Sequence, residues 1–389
     1  MRTDYEVIVL GLGGFGSGAA YWLSRRLGGD VLGLEQFEIG HSNGGSQDHS
    51  RIIRLSYHSA EYMTFARHAY DAWAALEADA GEKLIVKTGG LDFFPPDSVL
   101  PLDHYINAYT ASGIEFETLG PAEVMARWPQ FVVPETVQTI YQADSGIAPA
   151  AKCNAAHIRM AREHGAVLKD HTPVSAIRPV DGEIEVVTEE ATYRCAGLVL
   201  ACGAWTPNHL ADLGITIPLH VSQEQVSYFS SPHLDEFMPD RFPIWIWFGP
   251  ETMYGFPAYG EQAVKVARDL AGKIVTAETR SFEPDPENAA AVEQFVRAFL
   301  PRAYGPVLYT KTCLYTLTPD RDFIISALPD HPRIALGVGA GHGFKFASVI
   351  GRALGEIALD GATDLPVAPF HIDRPTLSPD APFQNFYVE

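Results

Sequence analysis

The sequence predicts an α/β fold: a Rossmann-type nucleotide-binding domain interleaved with an α+β domain on a mainly antiparallel sheet. Three observations predict it. A strand, glycine-rich turn, helix and second strand open the chain over residues 5–40. A second apolar strand, Leu198-Val199-Leu200-Ala201, ends mid-chain in the small residues Cys202-Gly203-Ala204. A third, Ile334-Ala335-Leu336-Gly337-Val338, meets a glycine turn near the end. Signals so spread imply one domain assembled from 1–88, 147–215 and 319–389, with 89–146 and 216–318 forming the other.

The first unit is the most legible. Glu6-Val7-Ile8-Val9-Leu10 is an apolar strand, Ser17–Arg26 a helix, and Asp30–Glu35 a second strand. Between the first strand and the helix, Gly11 permits a tight turn, Gly13 lets backbone approach a pyrophosphate, and Gly16 lets helix and strand pack closely. Free N–H groups at the helix start suit phosphate, and Glu35 stands where an adenosine ribose would be bound.

Beyond it, residues 60–80 carry a helical apolar face, and Gly89-Gly90 breaks that pattern before the strand 91–94. Residues 102–128 read as two helices around a short strand, and 149–164 as a helix. Short strands follow near 166–169, 173–177, 183–188 and 192–195, with Asp181-Gly182 as a hairpin turn. Residues 219–230, 243–248, 253–257 and 263–267 are strand-like, 286–299 is a helix, and another helix starts soon after Phe346. There is no repeat and no low-complexity linker.

Composition narrows the function. The 389 residues suit two domains, and no apolar run is long enough for a membrane helix. A net charge of −20 repels nucleic acid and anionic membranes. Met1–Asp4 leads directly into a strand, acidic Asp4 and Glu6 do not suit a leader, and Phe386–Glu389 matches no targeting address, so a cytoplasmic protein is expected. Cys153, Cys195, Cys202 and Cys313 form no CxxC and no zinc spacing, so neither a metal nor a disulfide framework is expected.

The opening unit does not separate NAD from FAD. The Leu198–Trp205 strand and turn, and the turn Gly339–Lys345 between strand and helix, favour FAD, because a helix start there supports the pyrimidine end of a flavin. In chain order, Gly11–Gly16, Ser50-Arg51-Ile52-Ile53-Arg54, Gly255-Phe256-Pro257 with Lys265, Cys313-Leu314-Tyr315-Thr316 and Gly341-His342-Gly343-Phe344-Lys345-Phe346 resemble the monomeric sarcosine oxidase family. That group includes N-methyltryptophan, pipecolate and, more distantly, fructosyl amino acid oxidases. The resemblance covers nearly the whole chain, including Arg127-Trp128-Pro129 and the Pro366–Arg374 tail.

The resemblance implies a monomeric FAD-dependent oxidase acting on the secondary amine of a small amino acid, with O2 reduced to hydrogen peroxide. It implies covalent flavin attachment through Cys313, a lysine over the flavin at Lys265 that promotes reaction with O2, and Arg51 near the same face. It places Arg54 and Lys345 on the substrate carboxylate, Tyr254 in the substrate cavity, and Gly341, His342 and Gly343 in the flavin-supporting loop. A fixed cation stabilises charge forming on oxygen, and an arginine fork suits a carboxylate. Trp245 and Trp247 place bulky aromatics in a stretch expected to line the cavity, which makes Trp247 a candidate substrate contact.

There are departures. Gln47 stands where the family carries a histidine, with His49 displaced, and Arg268-Asp269 replaces a tyrosine–histidine pair after the lysine. These leave room for an oxidase of glycated amino acids. A flavin dehydrogenase with a protein acceptor, a non-catalytic flavoprotein and a nicotinamide dehydrogenase are the remaining alternatives.

Overall fold

The computed structural model describes residues 2–378 and 380–383; the Phe386–Glu389 end lies outside the described residues. The opening strand Asp4–Leu10 has parallel partners on both sides, Val31–Leu34 and Thr192–Leu200. Such a strand is covered on both faces, which is why its sequence reads as a run rather than an alternation. Val7 and Val9 pack with the helical layer, while Ile8 and Leu10 join a separate core on the opposite face. Val167–Lys169 continues the sheet beyond Val31–Leu34. On the other side, the first half of Thr192–Leu200 pairs antiparallel with Glu183–Thr188, and its end pairs parallel with His331–Val338. Val174–Val180 and Ile324–Leu328 complete eight strands. The helices Gly14–Leu27, Ala150–Glu163 and Ala347–Asp360 belong to this layer.

A second sheet of nine strands is antiparallel except where Ile244–Phe248 runs parallel to Gly90–Phe94. Its long strands, His220–Phe229 and Val307–Leu317, pair along their length. Thr252–Phe256 and Val264–Arg268 follow Ile244–Phe248 in an antiparallel run. The first sheet draws its strands from 1–88, 147–215 and 319–389, and the second from 89–146 and 216–318; on that ground we propose the two-domain division. A third, three-stranded sheet joins Arg51–Ile53, Gly146–Ala148 and Val86–Lys87. No sequence pattern marked it, because two of its strands have three residues and one has two.

The helices expected at 60–80, 102–128, 149–164 and 286–299 are Ala60–Ala80, the pair Leu102–Ser112 and Pro121–Arg127, Ala150–Glu163 and Pro286–Phe299. The two strands read at 192–195 and near 198–201 are one, Thr192–Leu200. Its first half alternates in burial and its last four residues are all buried, so one strand gives two patterns. No helix is long and apolar enough to cross a membrane among the described residues.

The glycine turn rests on close backbone approach. Gly11 has φ +84°, and a Cβ on Gly16 would stand 1.7 Å from the Gly11 carbonyl oxygen. Backbone cannot yield as a side chain tip does. Gly16→Ala is therefore expected to lower the unfolding free energy by about 1–3 kcal/mol or more, read by urea denaturation, and to weaken nucleotide retention; an unchanged midpoint would show that the turn relaxes freely.

Candidate cofactor and substrate site

A cavity of about 1100 Å³ runs from the glycine turn to Arg54 and Lys345. It reaches the top of the roughly 300–1,000 Å³ range of small-molecule sites. At one end the helix Gly14–Leu27 begins with no side-chain cap and no acid in its first turn, so its free N–H groups face an anion site. Glu35 is buried beside it. Its Oε2 accepts from the Leu12 N–H at 2.9 Å and its Oε1 from the Phe37 N–H at 3.1 Å, with His41 3.4 Å away. Burial pushes this carboxyl up, but His41 and the two N–H groups outweigh it and hold it below the usual range. Each carboxylate oxygen keeps further acceptor capacity. Glycine backbone, uncapped helix start, fixed acid and an elongated cavity together fit a dinucleotide of the size of FAD.

Towards the other end, Gly339–Lys345 forms the wall. Ala340 has φ +47° and Gly341 φ +82°, which turns the chain from the strand His331–Val338 into a short helix, Gly343–Phe346, and then Ala347–Asp360. Gly341, His342, Gly343 and Lys345 all line the cavity. His342 shares a hydrogen bond between Nε2 and the Arg321 carbonyl at 2.9 Å, and burial keeps its ring well below the usual range, hence neutral. Lys345 Nζ donates to the His342 carbonyl at 3.1 Å. Burial, aided by Arg54, pushes the Lys345 ammonium down to about 7.

Arg54 follows the short strand Arg51–Ile53 and enters the same end. Its Nη1 donates to Asp92 Oδ1 at 3.0 Å, and its Nε is buried without a partner. The guanidinium lies 4.9 Å from the Tyr57 ring centre and 5.7 Å from that of Phe248. Asp92 also accepts from Ser56 Oγ, and burial raises its carboxyl despite Arg54. Tyr57, Tyr105, Ile246, Phe248 and Tyr254 make the surrounding wall largely aromatic. Asp269 lines it too and pairs with Arg321 at 3.2 Å, whereas Arg268 is part-exposed and pairs with Glu251 at 3.1 Å.

Strand geometry corrects one expectation, and an ion pair sets the depth of a second residue. Trp247 does not line the cavity. Successive side chains of a strand alternate faces: Ile246 and Phe248 face the cavity, while Trp245 and Trp247 pack with Phe295, and Trp247 also with Phe93 and Phe299. Lys265 does not line it either. It is buried, with Nζ donating to Asp48 Oδ2 at 2.6 Å and to the Ser50 carbonyl at 2.8 Å. Arg51, Gln47 and Phe256 form the wall at this place. Gln47 lines the cavity, and His49 turns to Glu261 at 3.0 Å.

Cys313 is buried in the strand Val307–Leu317 and does not itself line the cavity, whereas the next three residues, Leu314, Tyr315 and Thr316, do. Burial pushes its thiol up, while the charges of Arg51 and Lys265 pull it down. Gly16 stands behind the wall as a packing position, and Gly11, Gly13 and Arg51 are on it. Asp48, Tyr57, Tyr105 and Arg321 were missed. Tyr57 lay three residues after Arg54 and was open to notice; the others come from loops and a helix with no motif. No group of residues suited to a metal ion occurs among the described residues.

Residues 6–357 match the family model described as FAD dependent oxidoreductase. The chain is 31% identical over 382 residues to a monomeric sarcosine oxidase of Arthrobacter sp. (strain TE1826), covering 97% of this chain and 98% of that protein. It is 30% identical over 381 residues to an N-methyl-L-tryptophan oxidase of Yersinia pestis (strain Pestoides F), covering 95% and 99%. Its fold is similar to that of NikD, an unusual amino acid oxidase essential for nikkomycin biosynthesis, with a TM-score of 0.84 at 24% identity over 95% of this chain and 98% of the other. With its glycine turn, buried acid and elongated cavity, the chain belongs to the FAD-dependent oxidoreductase family, among relatives of the monomeric sarcosine and N-methyltryptophan oxidases.

Proposed function

We propose that the protein is a monomeric, cytoplasmic oxidase of the secondary amine of an N-substituted or cyclic amino acid. The observation that carries this reading is the pair Arg54 and Lys345, which line the cavity together at its aromatic end. A substrate carboxylate supplies these two cations with a negative charge and an acceptor. Anchored there, the carbon beside nitrogen is held in one orientation towards the ring end of the cavity. The wall of Tyr57, Tyr105, Phe248 and Tyr254 takes the apolar part of the substrate and excludes water.

FAD, when bound, supplies the two-electron acceptor. The residues that would hold it are Gly11, Gly13 and Glu35 at the nucleotide end and Gly341, His342 and Gly343 at the ring end, with Cys313 as the point of covalent attachment. The amine reacts without its extra proton, and the cations Arg54 and Lys345 favour that neutral form. Loss of two electrons and a proton from the neutral amine gives an iminium ion, and loss of a second proton leaves the imine, which water hydrolyses. O2 takes up two electrons and two protons and leaves as hydrogen peroxide beside Arg51 and Lys265, whose charges stabilise the negative charge that builds up on oxygen.

One observation favours a second reading. Asp269 and Arg321 place a polar pair on the cavity wall, which suits the hydroxyl-rich chain of a glycated amino acid. Oxygen consumption with a fructosyl amino acid, against an N-methyl or cyclic amino acid, separates the two.

Because Lys345 holds its proton only below about 7, a carboxylate ligand should bind more tightly at acidic pH and weaken as pH rises through that value. A bound anion favours the charged amine and moves the midpoint upward. Lys345→Met should weaken binding roughly tenfold or more and flatten this pH dependence; an unchanged profile, measured by titration of a non-reactive carboxylate, would remove Lys345 from the anchor. Cys313→Ser should leave the flavin extractable, so that acid-precipitated protein is colourless and the supernatant yellow. A yellow pellet would assign the link to another residue.

A further inference from the structure

Asp48 has a backbone conformation that few side chains adopt. Its φ is +97°, in a region that costs a non-glycine residue energy and persists only where the surroundings hold it. Here the side chain supplies the hold. The buried carboxylate accepts from Lys265 Nζ at 2.6 Å and from the Tyr228 hydroxyl at 2.6 Å, with Arg51 Nη1 3.4 Å away. The Asp48 carbonyl accepts from the Ala151 N–H at 3.1 Å. Lys265 directs its remaining hydrogen bonds to the Ser50 carbonyl at 2.8 Å and the Ser50 Oγ at 3.3 Å. An ammonium has three donors, and these three acceptors take them all. Its charge also lies over the Phe256 ring, 4.6 Å from the centre.

We propose that Asp48 is a built-in counter-ion that restrains the reaction with O2, cancelling the Lys265 charge and holding the ammonium behind the cavity wall so that Arg51 is the cation facing the ring. The proposal rests on the reading above that Arg51 and Lys265 flank the place where O2 is reduced. In a dry site a lone cation acts strongly on nearby charge. A cation with an anion in contact acts as a dipole, whose field falls off faster with distance. Reduction of O2 to hydrogen peroxide, with two electrons and two protons, is therefore assisted less than by a lysine without a counter-ion.

Asp48 has a second effect of opposite sign. Burial pushes Lys265 down to about 8, against the pull of Asp48; Arg51 lowers it further, and the Cys313 thiol and the Tyr228 hydroxyl also face this group. Without Asp48 the ammonium loses its proton more easily. As pH falls, Lys265 regains its proton in the absence of Asp48, and at the acidic end only the cancelled charge distinguishes the proteins.

The test uses FAD-loaded Asp48→Gly and Asp48→Asn. Glycine accepts the positive φ, and asparagine keeps the hydrogen-bond acceptor while losing the charge. At the acidic end of a pH series both reduced variants should react with O2 roughly tenfold faster or more than the native protein. Formate should enter the space vacated in Asp48→Gly, return the reaction to the native rate, and perturb the visible spectrum of the oxidised protein in a saturable phase. That phase should be missing from the native protein and from the Asp48→Gly/Lys265→Met double variant. Reoxidation within about twofold of native in both Asp48 variants, with no formate phase, would overturn the proposal. Lys265→Met decides which reading has then failed: a slowed reaction with O2 leaves the role of Lys265 intact and rejects only the counter-ion, whereas an unchanged reaction rejects both.

Discussion

Four cations, Arg51, Arg54, Lys265 and Lys345, are placed on or just behind the wall of one cavity end, and the protein must keep each of them there. An unpaired buried charge costs several kcal/mol or more. The cost is met differently at each position. Arg54 has Asp92 at 3.0 Å, and Lys265 has Asp48 at 2.6 Å with Arg51 beside the same carboxylate. Lys345 is held by a backbone carbonyl and gives up part of its charge instead. Asp48 thus offsets one of the two charges of Arg51 and Lys265, and Asp92 offsets that of Arg54, so positive charge remains at Arg51 and, in part, at Lys345.

The architecture follows from this need. The Rossmann-type sheet places a helix start and Glu35 at one end of the cavity, and the second sheet supplies the aromatic wall at the other. The small third sheet anchors Arg51–Ile53 antiparallel to Gly146–Ala148, so that Arg51 and Arg54 leave a fixed strand rather than a free loop. The paired strands His220–Phe229 and Val307–Leu317 bring Tyr228 and Cys313 to the same region. Residues distant in sequence therefore meet through backbone registers, which are more precise than loops.

The nucleotide end was legible because its chemistry is local: Gly11, Gly13, Gly16 and Glu35 lie within one strand–helix–strand unit. Arg54, Lys345 and Tyr254 could be placed only through resemblance, since nothing in their immediate neighbours states that they share a wall. Trp247 was misread because the run Ile244–Phe248 is apolar at every position, so its sequence does not tell which face meets the cavity. Lys265 was placed over the flavin by resemblance, but its depth depends on Asp48, 217 residues earlier. Asp48 itself carried no signal, because a positive φ and a buried ion pair are properties of the folded chain.

The central claim is that this cavity holds FAD against the C–N bond of a carboxylate-anchored amino acid. Anaerobic mixing of the purified protein with sarcosine, N-methyltryptophan, pipecolate, proline and a fructosyl amino acid tests it most directly, through the visible flavin spectrum. The account predicts rapid bleaching by at least one of these secondary amines, and none by the same compound with its carboxylate replaced by an amide. A flavin spectrum that none of them bleaches, or bleaching indifferent to the carboxylate, would contradict it.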